Sequence, residues 1–376
     1  MLLRARELKQ LEWVIVACFL LLSLLSLVMV ASATRARSTR DYTVVKKQAV
    51  WVLLGTVIML GVAFTPYEGL VEYAWWFYGA NILLLGAVLV AGKSALGAQR
   101  WLQIGPVPLQ PSELAKVFTI LFTASNLTRS ETSWRKWGDI AKPLVLIALP
   151  TLLIYKQPDL GTSLVLPATV LGITYMAGAP GGRIAAVVLS GIGTVAALIV
   201  LHFKYGVPLP FKDYQLKRIA VLFDPSIDPL GAGYHIRQSI IAIGSGKLWG
   251  KGLFMGDQSQ LKFLPEPHTD FIFAVIGEEL GFIGAATVLI IYLVLLIRVF
   301  QITLAAKDRF GCLVVAGVGC MLGFHVLVNA GMVMGIMPVV GIPLPFVSAG
   351  GSSFLSNSIA LGLVQSVWVH RRKVPF

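Results

Sequence analysis

Long apolar runs dominate the chain, and their lengths suit helices that cross a membrane. The predicted helices cover residues 13–33, 49–65, 73–91, 112–127, 143–155, 160–177, 184–203, 271–300, 311–337 and 353–369. The pattern lacks strands of alternating polar and apolar residues, so helices rather than a β-barrel satisfy the backbone in lipid. We therefore predict an all-α polytopic membrane protein with about ten transmembrane helices.

One long segment, residues 204–269, separates the seventh and eighth predicted helices. We expect a single membrane domain over residues 1–376, with helices 1–7 within 13–203, helices 8–10 within 270–369 and a tail at 370–376. Inside the long loop, Tyr234–Ile243 predicts an amphipathic helix that can lie in the membrane interface. The glycine-rich stretch Gly244–Gly252 predicts a flexible basic turn after it.

Composition supports a membrane protein, because 56% of the 376 residues are hydrophobic and only 13% are charged. A soluble domain of this size needs a more charged surface. The net charge of +13 fits basic loops that contact anionic lipid headgroups, and no basic-aromatic motif points to nucleic acid. Three cysteines, Cys18, Cys312 and Cys320, fall in predicted helices and show neither disulfide nor metal-site spacing.

Charge also predicts the orientation in the membrane. An even number of spans places both termini on one side, and basic residues near Arg4, 134–136, 307–309 and 371–373 assign that side to the cytoplasm. The first outer loop goes against this rule because it carries Arg35, Arg37, Arg40, Lys46 and Lys47. The first helix also follows basic residues and ends at an Ala-Ser-Ala stretch, but its length favours a retained helix over a cleaved signal peptide.

Four polar clusters fall on the predicted outer face, and the first is GAQRWLQIGPVPLQPSELAK at 97–116. Arg100 and Trp101 stand where an aromatic belt would anchor the chain. Ser112 is predicted to cap the next helix. Glu113 and Lys116 are three residues apart on one helix face, so they can pair. An ion pair within a span marks either a functional cavity or a structural contact.

The second and third clusters each leave two interpretations open. Asp159, in QPDLGT, either caps the sixth helix or belongs to a site. In the long loop, Lys217 and Arg218 precede Asp224. These basic side chains either bind a phosphate through charge-assisted hydrogen bonds or lie in an ordinary solvated loop.

The fourth cluster, KFLPEPHTDFIFAVIGEELG at 262–281, brings His268, Thr269 and Asp270 to the mouth of a long apolar helix. A carboxylate there is costly to keep, which favours a reactive role for Asp270. The alternative is that Thr269 or Asp270 caps the helix. A later loop, GIPLPFVSAGGSS at 341–353, contains Ser348 and Ser352. Irregular backbone at membrane depth lines a cavity or lies within protein, and its amides before a helix suit an anion.

These stretches together resemble the SEDS family of polytopic proteins, also called the RodA/FtsW/SpoVE family. The resemblance covers nearly the whole chain and includes GAQRWLQIGPVPLQPSELAK, QPDLGTSL, QSQLKFLPEPHTDFIFAVIGEELG and NAGMVMGIMPVVGIPLPFVSAGGSS. The segments DPLGAGYHI, IAIGSG and QSQL are more similar to the cell-elongation branch than to the division or sporulation branches. The chain departs from the family at Ala349, where a tyrosine is usual, and at Ala330.

The resemblance implies a peptidoglycan glycosyltransferase that polymerises lipid II, the undecaprenyl-diphosphate-linked disaccharide-pentapeptide, during cell elongation. It implies a bacterial cytoplasmic membrane location, elongation machinery as partners and a class B penicillin-binding protein as transpeptidase partner. The family's essential aspartate falls on Asp270, its functional tryptophan on Trp101, and its charged pair on Glu113 and Lys116.

We expect Asp270 to act as general base. The candidate substrate and diphosphate ligands are Arg100, Trp101, Glu113, Lys116, Asp159, Lys217, Arg218, His268, Thr269, Ser348 and Ser352. A divalent cation, Mg²⁺ or Mn²⁺, can assist, and no organic cofactor is expected. Three alternatives stay open: a flippase for the lipid-linked precursor, a scaffold for the penicillin-binding protein, and a division or sporulation paralogue with the same chemistry.

Overall fold

The computed structural model of the chain describes residues 9–34, 42–95, 98–105, 107–130, 132–208, 213–261 and 263–371. Its helices are α1 (Trp13–Thr34), α2 (Thr43–Ala63), α3 (Ala74–Ala91), α4 (Pro111–Arg129), α5 (Trp137–Leu146), α6 (Ala148–Lys156) and α7 (Leu160–Met176). Then follow α8 (Gly181–Tyr205), α9 (Asp213–Phe223), α10 (Ala232–Gly246), α11 (Asp257–Gln260), α12 (Ile272–Ala305), α13 (Arg309–Val333) and α14 (Gly351–Val369). The basic positions Arg4, Arg35, Arg37, Arg40, Arg372 and Lys373 lie outside the described residues.

The all-α membrane prediction is confirmed, and each of the ten apolar runs forms helix. Six helices of the described chain, α1, α2, α3, α8, α12 and α13, are long and apolar enough to cross a membrane. The fifth predicted helix is in fact two helices, α5 and α6, which are bent by 45° and bring the number to seven when counted as one span. Their junction lies at Ile147, which ends one helix and precedes the other.

The remaining three predicted spans, α4, α7 and α14, are more polar or shorter, and α4 and α14 are largely buried within the protein. Helix α4 buries Ser112, Glu113, Lys116 and Thr123, and α14 buries a similar set that includes Asn357 and Gln365. Helix α13 is buried along most of its length and forms the centre of the bundle, packed against α4, α7, α12 and α14. In contrast, none of the described side chains of α8 is buried.

A small antiparallel sheet precedes α4, and the hydropathy pattern did not predict it. Its strands are β1 (Lys93–Ala95), β2 (Ala98–Ile104) and β3 (Val107–Leu109), with β2 in the middle. Leu102 pairs with Leu109 across the β2–β3 turn. The prediction that Ser112 caps the next helix is wrong, because α4 begins one residue earlier at Pro111, a residue suited to the first helical turn.

The long segment between α8 and α12 is mostly helical and packs on the bundle. The predicted amphipathic helix is present as α10, and it packs against α12 and α13. Its buried Ser239 donates a hydrogen bond of 2.6 Å to the carbonyl of Val333 at the end of α13. The segment around Lys217 and Arg218 is the helix α9 rather than a solvated loop.

Helix α12 is broken at Gly281, whose φ of +68° favours glycine. The stretch after α10 enters this break and pairs with it through backbone hydrogen bonds. The amides of Lys251 and Phe282 donate to the carbonyls of Glu278 and Lys247, at 3.0 and 2.8 Å. In the stretch predicted as a flexible turn, Gly244–Gly246 end α10 and residues 247–249 form the turn. Its glycines allow close contact between the two backbones.

Candidate active site

The turn that carries Asp270 is held by hydrogen bonds from helix α13 and from the loop between α13 and α14. Three successive carbonyls of the turn accept hydrogen bonds from the other end of the chain: His268 from the amide of Ala349 (2.8 Å), Thr269 from the hydroxyl of Ser348 (2.7 Å), and Asp270 from the amide group of Asn329 (2.9 Å). Because other segments hold the backbone of the turn through these hydrogen bonds, the Asp270 carboxylate is not needed to fix it.

Neither Thr269 nor Asp270 caps α12, so the structural alternative for this cluster is excluded. The cap position is Phe271, and no side-chain cap hydrogen bond is made there. The Asp270 carboxylate instead lies against Gly341, where an added Cβ would come within 3.2 Å of Oδ2. Gly341 has a φ of +73°, so both its conformation and its neighbour favour glycine.

Burial raises the pKa of Asp270 from 3.8 to about 6, and the nearby Glu266 carboxylate adds to the increase. Arg218 and Arg100 oppose this shift, whereas Asp159 supports it. Desolvation and like charge both disfavour an ionised carboxylate, which explains the direction. A carboxyl group that titrates near neutral pH can accept a proton and still be largely ionised at pH 7, as a general base requires.

Asp159 caps α7 and also contacts two other segments, the start of α4 and strand β2. Its carboxylate accepts hydrogen bonds from the amide of Thr162 (3.2 Å) and from the side chains of Gln110 and Ser112 (both 3.2 Å). Arg100 of β2 is 4.0 Å away. Asp159 is therefore both the predicted cap and the centre of a buried network at this end of the bundle.

Arg100 ties the sheet to that network. Its guanidinium donates hydrogen bonds to the carbonyls of Gln157, at 3.1 Å, and Pro158. Gly161 of the same turn packs against the loop that holds Asp270, since an added Cβ would come within 2.7 Å of Ile342. The two turns are thus in contact, and Arg100 acts on Asp270 through space.

A cavity of about 500 Å³ lies between α9, α10 and the loop after α13. Its lining residues are Tyr214, Lys217, Arg218, Asp228, Gly231, Ala232, His235 and Val339. The His235 ring meets Phe271, the neighbour of Asp270, with 5.8 Å between ring centroids. Burial lowers the pKa of His235, and the Arg218 charge lowers it further. The cavity therefore carries Lys217 and Arg218 on its wall, and the Arg218 charge also acts on Asp270.

The Glu113–Lys116 pair predicted from spacing is present but buried. Lys116 Nζ lies 2.8 Å from Glu113 Oε2 and 3.0 Å from His325 Nε2. The other ring nitrogen of His325 is 2.7 Å from the carbonyl of Met321, so that nitrogen donates and Nε2 accepts from the lysine. Lys116 is only 2% exposed, so the pair lies within the protein interior.

Sequence reasoning missed His325 and the partners of two further acids. Glu278 and Glu279, in the first part of α12, are buried. Glu278 accepts from the Lys251 ammonium at 3.0 Å and from the amide of Gln258 at 2.9 Å, and Glu279 accepts from the hydroxyl of Ser32. The sequence did contain a signal for these partners: two adjacent glutamates in an apolar run. Buried carboxylates need hydrogen-bond or ion-pair partners. They hold the segment that leads into the Asp270 turn.

The other predicted site residues occupy supporting positions. Ser348 accepts a hydrogen bond from the Leu344 amide (2.8 Å), and Ser352 accepts one from the Gln110 amide (3.0 Å). Trp101 lies in β2, paired with Lys93. Thr269 contacts the carbonyl of Glu266 through its hydroxyl at 3.4 Å. The serine hydroxyls thus fix loops around the acid.

The residues do not form a protein-held metal site in the part of the chain described. No three His, Cys, Asp or Glu side chains there are grouped to hold an ion. Asp159 and Asp270 belong to separate turns, and the Asp159 oxygens already accept several hydrogen bonds. Assistance by a divalent cation stays a prediction, and no step below depends on it.

The bundle and this site define a polytopic membrane protein with a titratable acid beside a basic cavity at one end. The chain belongs to the FtsW/RodA/SpoVE family of cell cycle proteins, which matches residues 12–373. The family resemblance seen in the sequence is thereby confirmed.

Known relatives and solved structures are similar to this chain over nearly its full length. Peptidoglycan glycosyltransferase MrdB of Escherichia coli K12 is 43% identical over 358 residues, 94% of this chain and 93% of that protein. A chain from a peptidoglycan synthase complex that coordinates polymerization and crosslinking has 33% identity and a TM-score of 0.78, covering 95% of this chain and 97% of that one. The rod shape determining protein RodA of Thermus thermophilus has 31% identity and a TM-score of 0.71, covering 96% and 98%.

Proposed function

We propose that this chain is a peptidoglycan glycosyltransferase that polymerises lipid II during cell elongation. The observation that carries the proposal is the Asp270 carboxyl, held on a clamped turn beside a cationic cavity, with a pKa raised to about 6. The similarity to a peptidoglycan glycosyltransferase and to a rod shape determining protein supports the same activity.

Asp270 is the general base in the proposed reaction. Its carboxylate takes the proton from the acceptor sugar hydroxyl while that oxygen bonds to the anomeric carbon of the donor. The bond from this carbon to the lipid diphosphate breaks in the same step, and its electron pair leaves with the diphosphate. A single displacement inverts the centre, so an α-linked donor gives a β-linked glycan.

Positive charge takes the place of a second acid. A diphosphate leaves as a stable anion, so the paired carboxylates of glycosidases are not required. Arg218 and Lys217 on the cavity wall are the proposed ligands of the leaving diphosphate, with Arg100 nearby. The buried pair of Lys116 and Glu113 supports the site from within the bundle, with Lys116 fixed by His325.

We further propose a class B penicillin-binding protein as the partner that crosslinks the glycan. The similarity to a chain of a synthase complex that couples polymerization to crosslinking supports this. The proposed location is the bacterial cytoplasmic membrane, with both termini in the cytoplasm and Asp270 at the outer face, where the polyprenyl tail stays in lipid and the sugars stay wet.

A lipid II polymerisation assay on the purified chain, with and without its partner, tests the proposal. Asp270→Asn should leave no glycan strands, while Glu72→Gln, a carboxylate change at the opposite end of the bundle, should polymerise like the wild type. Arg218→Met should lower the rate on the order of a hundredfold, as loss of one transition-state ligand does elsewhere. Polymerisation by Asp270→Asn would show that another group is the base.

Transport of the lipid-linked precursor is the second candidate, and the broken helix α12 is the observation that favours it. Discontinuous helices at membrane depth are typical of transporters. Vesicles that contain the chain and lipid II in one leaflet separate the two functions: glycan strands indicate the enzyme, and translocated monomer indicates the flippase. A scaffold would give neither product and would be insensitive to Asp270→Asn.

A further inference from the structure

A polar cavity of about 270 Å³ lies at the end of the bundle opposite Asp270, where α4 ends and α5 begins. It is lined by Asn126, Leu127, Ser130, Thr132, Ser133, Lys136, Asp139, Lys142 and Pro143. None of these residues takes part in the proposed reaction. The cavity combines two lysines with hydroxyl groups, which is the chemistry of a phosphate site.

The walls of this cavity are fixed by contacts outside it. Trp134 is buried and donates from its ring nitrogen to the carbonyl of Ala177 at 3.0 Å. Arg183 donates to the carbonyl of Trp134 at 2.5 Å. The hydroxyls of Ser130 and Thr132 are 2.9 Å apart. These contacts anchor the backbone of the connection between α4 and α5, so less of it has to be ordered when a ligand binds.

The charges in the cavity favour an anion. Lys136 and Lys142 make no ion pair with any residue that the structure describes. Among the lining residues that the structure describes, Asp139 is the one carboxylate, and it accepts a hydrogen bond from the backbone amide of Lys136 at 3.1 Å. The two lysine ammonium groups therefore outnumber the one carboxylate among the described lining residues.

The surroundings place the cavity at a membrane interface. A narrow, mostly apolar crevice between α4 and α5 adjoins the cavity and is lined by Phe122, Thr123, Asn126, Leu127, Pro143 and Leu146. Along the outside of α5, Trp137 is 57% exposed and Val145 69% exposed. An exposed tryptophan at the end of an apolar helix is typical of the headgroup level of a bilayer.

We propose that this cavity binds the phosphate of an anionic phospholipid headgroup from the leaflet on that side. Lys136 and Lys142 donate to the phosphate oxygens, and the hydroxyls of Ser130, Thr132 and Ser133 contact the phosphate or the glycerol. The acyl chains lie along the exposed apolar face of α5, since the crevice is narrower than the cavity. A polyprenyl phosphate offers the same phosphate chemistry and is distinguished below.

Native mass spectrometry of the full chain in detergent tests this site. Phosphatidylglycerol, phosphatidylcholine with the same acyl chains, and undecaprenyl phosphate are added in separate titrations. We expect the chain to retain phosphatidylglycerol in preference to the other two. The double variant Lys136→Gln/Lys142→Gln should bind it roughly thirtyfold more weakly, since each lysine near anionic lipid contributes a factor of about five.

The matched control removes the same charge at the other end of the bundle, with Lys46→Gln/Lys47→Gln, whose lysines are both exposed. This control should retain phosphatidylglycerol like the wild type. Hydrogen exchange of residues 132–142 should slow on adding the lipid in the wild type and not in the Lys136→Gln/Lys142→Gln variant. Equal retention by wild type and that variant, equal retention of phosphatidylcholine, or preferred retention of undecaprenyl phosphate would each overturn the proposal.

Discussion

Replacing Asp270 with asparagine should abolish polymerisation and at the same time stabilise the folded protein at neutral pH. The carboxylate is desolvated and lies near Glu266, so its charged form is disfavoured in the fold. The backbone of the turn is held by other residues, among them Ser348 and Asn329. An uncharged amide of nearly the same size should therefore remove a cost without removing a contact that fixes the turn.

The size of this effect follows from the pKa. A rise from 3.8 to about 6 is roughly two units, and with about 1.4 kcal/mol for each unit the ionised group costs at most about 3 kcal/mol. Because the folded pKa is raised, the folded state holds the proton more tightly than the unfolded state. The carboxyl group's contribution is most favourable below pH 4 and is lost as the pH rises through 6, so the gain from Asp270→Asn should be largest near pH 8.

Thermal unfolding of the ligand-free chain in one detergent, at pH 4, 6 and 8, measures this gain. We expect the variant to melt a few degrees above the wild type at pH 8 and at the same temperature near pH 4. Asp224→Asn is a control that should change the melting temperature in the opposite direction at pH 8. Hydrogen bonds from Ser226 lower the pKa of that exposed acid, so its ionised form is favoured in the fold. If Asp270→Asn melts below the wild type at pH 8, the carboxylate holds the turn and the assignment of a free base fails.

Three further predictions concern the surroundings of the acid. The polymerisation rate should fall about tenfold for each pH unit below 6. Glu266→Gln should shift this fall to lower pH, because Glu266 raises the pKa of Asp270. An unchanged pH profile in the variant would show that Glu266 does not raise the pKa of Asp270. Gly341→Ala should cost about 1–2 kcal/mol in unfolding free energy from its positive φ. It should also slow polymerisation, because the added Cβ would lie 3.2 Å from Asp270 Oδ2 and push the carboxylate aside; full activity would contradict this contact. Glu278→Gln should lower stability by about 2 kcal/mol through the weakened contact with Lys251, and unchanged melting would show that the pair contributes little.

The hydropathy pattern predicted the helices of this fold, but it did not predict the features that depend on contacts between segments. Apolar run length located ten helical segments, since each must be long enough for a bilayer whatever surrounds it. The same criterion did not reveal the sheet before α4 or the break at Gly281, because each depends on backbone pairing with another segment. The split between α5 and α6 was missed for a related reason, since a bend of 45° leaves the hydropathy unchanged.

The sequence by itself determined that this is a helical membrane protein, that Glu113 and Lys116 can pair, and that the Asp270 cluster is a candidate site. Those conclusions depend on spacing along one segment, and spacing is visible in a sequence. Only the tertiary structure decided that Asp270 caps no helix, that Arg218 and Arg100 act on it, and that His325 completes the buried pair. These neighbours come from segments far apart in the chain, and which of them meet is fixed by the packing of whole helices and loops rather than by any local pattern.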